Sequence, residues 1–195
     1  IMDLLLMQEN IELNTVDNDG ESVINKVVKT ENNEVLLSFL KTLKNQGEHK
    51  GIHKERLESA FIAVINMNKE ELFKTFVSNY PGEINVELLF LLIQNQTRPN
   101  PKDFRFLIDT LRLNINQKNN DGESLLEAIV NSGKENFFRP YFEQRPSLSC
   151  EEIESQLLNA IHKGHFNCFE AILTAKKESV KSKSIFKIIT VMNEN

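Results

Sequence analysis

Apolar residues recur along this chain in short sets at helical spacing, and the sets come in pairs separated by a polar break. Val23, Ile24, Val27 and Val28 fall on one helical face, the stretch 29–33 interrupts, and Val35, Leu36, Phe39 and Leu40 form the next face. The register returns at Leu125, Leu126, Ile129 and Val130, with Phe137, Phe138, Tyr141 and Phe142 after the turn 131–134. It returns again at Leu157, Leu158, Ala160 and Ile161, with Cys168, Phe169, Ile172 and Leu173 after the turn 162–165. Between them, Phe61, Val64 and Ile65 precede Leu72, Phe73, Phe76 and Val77, and the apolar stretches 88–93 and 104–111 flank an enlarged turn at 97–101. This spacing predicts an all-α domain over residues 1–195, built from five helix-turn-helix units at about 14–46, 47–82, 83–113, 114–147 and 148–180. Residues 1–13 and 181–195 are left as a partial repeat or caps, and the second unit carries a polar insertion at 46–55.

Two of the units open on the same words. Asp17-Asn18-Asp19-Gly20-Glu21-Ser22 is echoed by Asn119-Asn120-Asp121-Gly122-Glu123-Ser124, and the two glycines lie 102 residues apart, about three units of a repeat in the low thirties. Each Asp-Gly pair predicts a tight turn in which Gly supplies a positive φ, and the Ser two residues on is placed to cap the helix. Short β-hairpin turns are therefore expected in at least these two units. Ala128 and Ala160 are expected where the first helices of neighbouring units approach closely. Pro140 falls where the other units have the middle of their second helix, so that helix should be short or bent over 136–142. A Pro inside a helix costs about 3 kcal/mol.

At this point the pattern resembles the ankyrin repeat, whose consensus runs Gly-x-Thr-Pro-Leu-His-x-Ala-Ala-x-x-Gly-His and continues into two apolar pairs. Gly122-Glu123-Ser124-Leu125-Leu126 is similar to its opening, Gly164-His165 matches its turn, and Cys168-Phe169 with Ile172-Leu173 take the apolar pairs. Asn10-Ile11-Glu12-Leu13-Asn14 resembles the connector that precedes the hairpin. No unit has the Thr-Pro pair. The resemblance implies an ankyrin-like solenoid whose concave face and hairpin tips hold another protein. Carried over by position, the tips are Asp17, Asn18, Asp19 and Glu21 in the first unit and Asn119, Asn120, Asp121 and Glu123 in the fourth. The exposed positions of the first helices are Lys26, Lys29, Asn131, Asn159 and His162. An acidic, Asn-rich rim implies a partner with a basic patch, steered by charge and weakened by salt. The Asn- and Lys-rich wording also resembles ankyrin-containing effectors that bacteria deliver into host cells, which implies a larger protein acting in the host cytosol. The alternative is a scaffold that stacks end to end through uncapped termini.

Composition narrows the chemistry. A net charge of −5 argues against a general nucleic-acid binder, which needs a basic face for phosphates. No run approaches the roughly 20 apolar residues of a membrane span. With two cysteines there is no disulfide framework, and a reduced, cytoplasmic setting is the simpler expectation. A chain opening on Ile1 is expected to be part of something longer. His162 and His165, with Cys150 and Cys168, have the residue types of a zinc site, but the repeat register gives His165 a turn and Cys168 a core position. His49 and His53 lie in the polar insertion, where a distant enzymatic reading would have to place its site. Cys150 is followed by Glu151 and Glu152, whereas a reactive thiol needs cationic neighbours. The lysines at 176, 177, 181, 183 and 187 read as a solubilising face, with an acidic surface or partner as the alternative. No catalytic residue, metal or cofactor is expected.

Overall fold

The computed structural model describes residues 12–45, 52–83, 85–145, 147–176 and 188–190. Most of the partial repeat or cap expected at 1–13, most of the polar insertion and most of the Lys-rich tail lie outside the described residues. The described chain runs α1 (Val23–Lys29), α2 (Asn33–Asn45), α3 (Lys54–Met67), α4 (Glu70–Ser78), α5 (Glu87–Asn95), α6 (Pro101–Leu111) and α7 (Leu125–Ser132). A 3-10 turn (Glu135–Phe137), α8 (Phe138–Gln144), α9 (Cys150–His162) and α10 (Phe166–Lys176) follow. It is all-helical. Odd-numbered helices pack on the next odd-numbered helix, even on even, and each odd helix also packs on the even one that follows it. The result is five antiparallel pairs arranged in two layers, which we call inner (odd) and outer (even).

Local chemistry sets the helix starts. Ser22 caps α1 by accepting from the Asn25 N–H at 3.4 Å. Ser124 and Ser149 form full capping boxes with Glu127 and Glu152 at the starts of α7 and α9. Asn100 caps α6, with Pro101 at the first helical position, where a missing N–H costs nothing. α5 is apolar almost all round because it lies between α3, α7 and α6 and buries Leu88, Leu89, Phe90, Leu92 and Ile93. Ala128 and Ala160 are both buried, on inner helices that pack against each other. Val23 departs from its expected face. It is 36% exposed, because at the first position after the cap it points away while Ile24, Val27 and Val28 fill the core.

Pro140 acts as its chemistry requires. The outer layer of the fourth unit begins as the 3-10 turn, and Pro140 is the third residue of a seven-residue α8, within the first turn whose N–H groups lack helical partners anyway. The expected β-hairpins are reduced to turns. Among the described residues there is no strand, and one isolated antiparallel bridge, Val16 with Ser22, marks the first copy. The second copy closes through Asn119 and Glu123 without a bridge. Ser22 and Ser124 each end the turn by capping a helix, so the returning arm has no residue beyond the serine to extend a ladder.

Successive turns between the paired helices are tied to each other. Lys69 is ion-paired with Glu31 of the preceding turn. The Thr97 N–H donates to Asn66 Oδ1 at 3.0 Å. Lys134 Nζ donates to the carbonyls of Ile93 and Gln94, the latter at 3.2 Å. His165 Nδ1 lies 2.7 Å from the Val130 carbonyl. Lys134 and His165 are equivalent, each following the left-handed glycine of its turn.

The enlarged turn of the third unit is held by a buried network. Gln96 Nε2 donates to Asp103 Oδ2 at 2.9 Å, and Gln96 Oε1 accepts from the Asn100 N–H at 2.9 Å. Burial pushes the Asp103 carboxyl above the usual carboxylate range, against the lowering effect of its Gln96 and Asn100 hydrogen bonds. The folded state then holds its proton to higher pH than the unfolded chain, so this group's contribution to stability falls as pH rises between those two values. Asp103→Asn removes that cost. Its stability relative to the wild type should be more favourable at pH 7 than at pH 3, as read from urea midpoints at the two pH values. An equal difference at both would exclude a raised carboxyl.

Candidate functional site

The two Asp-Gly turns have the same backbone. In the first, the Asp17 N–H donates to the Glu21 carbonyl and the Gly20 N–H to the Asp17 carbonyl, both at 3.0 Å. In the second, Asn119 and Glu123, and Gly122 and Asn119, make the same two bonds at 3.0 Å. Gly20 and Gly122 both have φ +78°, and a Cβ at either would meet no atom, so the backbone angle alone demands glycine. Asp17 Oδ1 accepts from the N–H groups of Asp19 and Glu21, both at 2.9 Å. Asn119 Oδ1 accepts from those of Asp121 and Glu123 at 3.1 and 2.8 Å. Asp17 and Asn119 are therefore committed to turn geometry.

The two copies differ in what meets their charge. In the first, Lys26 is ion-paired with Asp17 and Lys29 with Glu21. The Lys26 ammonium holds Asp17 below the usual carboxylate range, and Asp17 in turn raises Lys26. The same two positions 102 residues later are Ala128 and Asn131. Among the described residues, Glu123 is met by neutral amides, from Asn131 Nδ2 at 2.7 Å and Asn119 Nδ2 at 3.2 Å, and by no cation. These satisfy lone pairs and leave the negative charge in place.

That second turn forms one wall of a groove of ≈ 1010 Å³ between α7 and α9. Asp121, Glu123, Glu127, Glu151 and Glu154 line it, against Lys163 as the lysine among the described lining residues. Asn159 Nδ2 donates to Asn131 Oδ1 at 3.0 Å, Leu158 adds an apolar patch, and His162 stands at the end of α9. Of the expected partner-binding residues, Asp121, Glu123, Asn131, Asn159 and His162 come together here. Asp17, Glu21, Lys26 and Lys29 pair among themselves far along the array. Asn18, Asp19 and Asn120 are exposed at the turn tips. Glu127, Glu151 and Glu154 were not expected. The signal for Glu151 was present in the spacing, since Glu151, Ser155, Leu158 and His162 repeat at helical intervals beside Asn159.

Other chemistry finds little support in the geometry. Cys168 is fully buried and its thiol is pushed up to about 11 by burial, with Glu135 adding to the shift, which removes the thiolate a nucleophile or metal ligand needs. The His165 ring is turned to the Val130 carbonyl of the preceding turn, and His53 is exposed. No group of three or more His, Cys, Asp or Glu side chains among the described residues could hold a metal ion. No helix among them is long and apolar enough to cross a membrane. A second groove of ≈ 760 Å³ lies on the outer layer, with Phe73, Phe106, Pro101 and Pro140 in its lining. Its cations are already ion-paired within the chain, Lys74 with Glu70 and Glu71, Lys102 with Glu70, and Arg105 and Arg139 with Glu143.

No protein-family profile matches the chain, and searches of curated proteins and of solved structures likewise gave no match.

Proposed function

We propose that this chain is a non-catalytic, ankyrin-like stack of helix pairs that binds another protein in the groove between α7, α9 and the second Asp-Gly turn. The observation that carries this reading is the charge of that groove. Five carboxylates face one lysine over a wide, shallow surface, whereas in the equivalent turn of the first unit two of the three acids, Asp17 and Glu21, are ion-paired from within. Like charges gathered on one surface repel each other, and a cationic partner relieves that repulsion on binding. Such a surface speeds encounter and selects partners by charge, and it loses strength as salt rises. Free Cys150 and Cys168 suit a reducing compartment such as cytosol.

The test is affinity capture from cell extract with three forms of the chain. The double variant Asp121→Lys/Glu151→Lys reverses two exposed groove charges, and Asp19→Lys reverses one on the first turn. A partner held by the wild type and by Asp19→Lys, and weakened about tenfold or more by the double variant, is the expected result. A partner held equally by all three would remove the groove from consideration.

A further inference from the structure

We infer that the partner supplies a lysine or arginine that does for Glu123 what Lys29 does for Glu21. This deepens the reading above and rests on it. An acidic groove alone says nothing about what enters it. The independent observation is the chain's own first copy, where a turn with Gly at the same φ of +78° and the same two backbone bonds holds an ammonium on its glutamate. In that copy the cation comes from α1. In the second copy the helix offers Asn131 at the same position, and the Asn131 amide donates to Oε1 of Glu123 but brings no charge. Glu123 is only partly buried and faces the groove, so a cation can come from outside the chain. A carboxylate can accept about four hydrogen bonds, so an incoming ammonium or guanidinium need not displace the amides.

Placing Lys at 131 would rebuild the first copy's internal pair and close the site from within. The probe is an amidated hexa-arginine peptide, titrated at about 50 mM salt, where exposed charges act over more than ten ångström, and followed by amide NMR shifts over 119–131. Asn131→Lys should weaken binding about fivefold, as should Glu123→Gln, while Asn131→Gln, which keeps a neutral amide, should bind as the wild type does. Thermal midpoints of the variants check that each is folded. Equal binding by Asn131→Lys and the wild type overturns this inference but leaves the groove standing if Asp121→Lys/Glu151→Lys still loses the peptide. Binding that is insensitive to both, or no binding by the wild type, overturns the groove itself.

Discussion

A Phe104→Ala variant is expected to lose about 3–5 kcal/mol and to unfold in two steps rather than one. Phe104 is fully buried on α6, and its ring centroid lies 5.3 Å from that of Phe137 in the 3-10 turn. It thus joins the third helix pair to the fourth, and truncation leaves a cavity at that junction. In a stack where each pair packs mainly on its neighbours, stability is approximately a sum of unit and junction contributions. Weakening one junction lets the pairs on either side melt independently. The chain provides its own reporters, because it has two tyrosines and no tryptophan. Tyr80 follows α4 in the second pair and Tyr141 lies in α8 of the fourth, both buried. Tyrosine fluorescence in Tyr80→Phe and Tyr141→Phe backgrounds should give one shared urea midpoint without the Phe104 change and two separate midpoints with it. A single midpoint in both backgrounds after truncation would mean that the junction does not carry the coupling.

Gly133→Val is expected to cost about 2–3 kcal/mol, for two separable reasons. Gly133 has φ +66°, where a β-branched side chain is strained whatever the space. A Cβ there would also stand 3.2 Å from the His165 imidazole, which contacts the Val130 carbonyl. The ring must give way, and with it the contact between the last two turns. A double-mutant cycle separates the causes. In a His165→Ala background the clash is gone and Gly133→Val should cost only the backbone strain, so the two changes should be less than additive. Full additivity in denaturation would show that the ring and the glycine are independent.

The helix pairs were legible because an amphipathic helix must repeat its apolar residues every three or four positions, and this chain does so in both layers. Pro140 was legible for a similar reason, since its ring permits only the first turn of a helix. The hairpins were misread because the residue that would begin the returning arm is the same serine that caps the helix, and one residue cannot extend a ladder. The candidate site was half legible. Turn residues announce themselves, so the acidic tips could be read directly. Whether each acid is already answered depends on pairs such as Asp17 with Lys26 and Glu21 with Lys29. These lie nine and eight residues apart, respectively, across a cap and come together only when the turn folds back along the helix. The share of α9 in the groove depends on how one helix pair sits on the next, which no local pattern encodes.

The ladder of turns has a direction. Lys69, Thr97, Lys134 and His165 all reach toward a turn earlier in the chain, to Glu31, Asn66, Ile93 and Gln94, and Val130 in that order. A ribosome delivers the chain in the same order. When Lys134 emerges, the carbonyls that receive it have already been synthesised, and the rung can close at once. The geometry therefore suits assembly during translation, each helix pair docking on a finished platform as it leaves the tunnel.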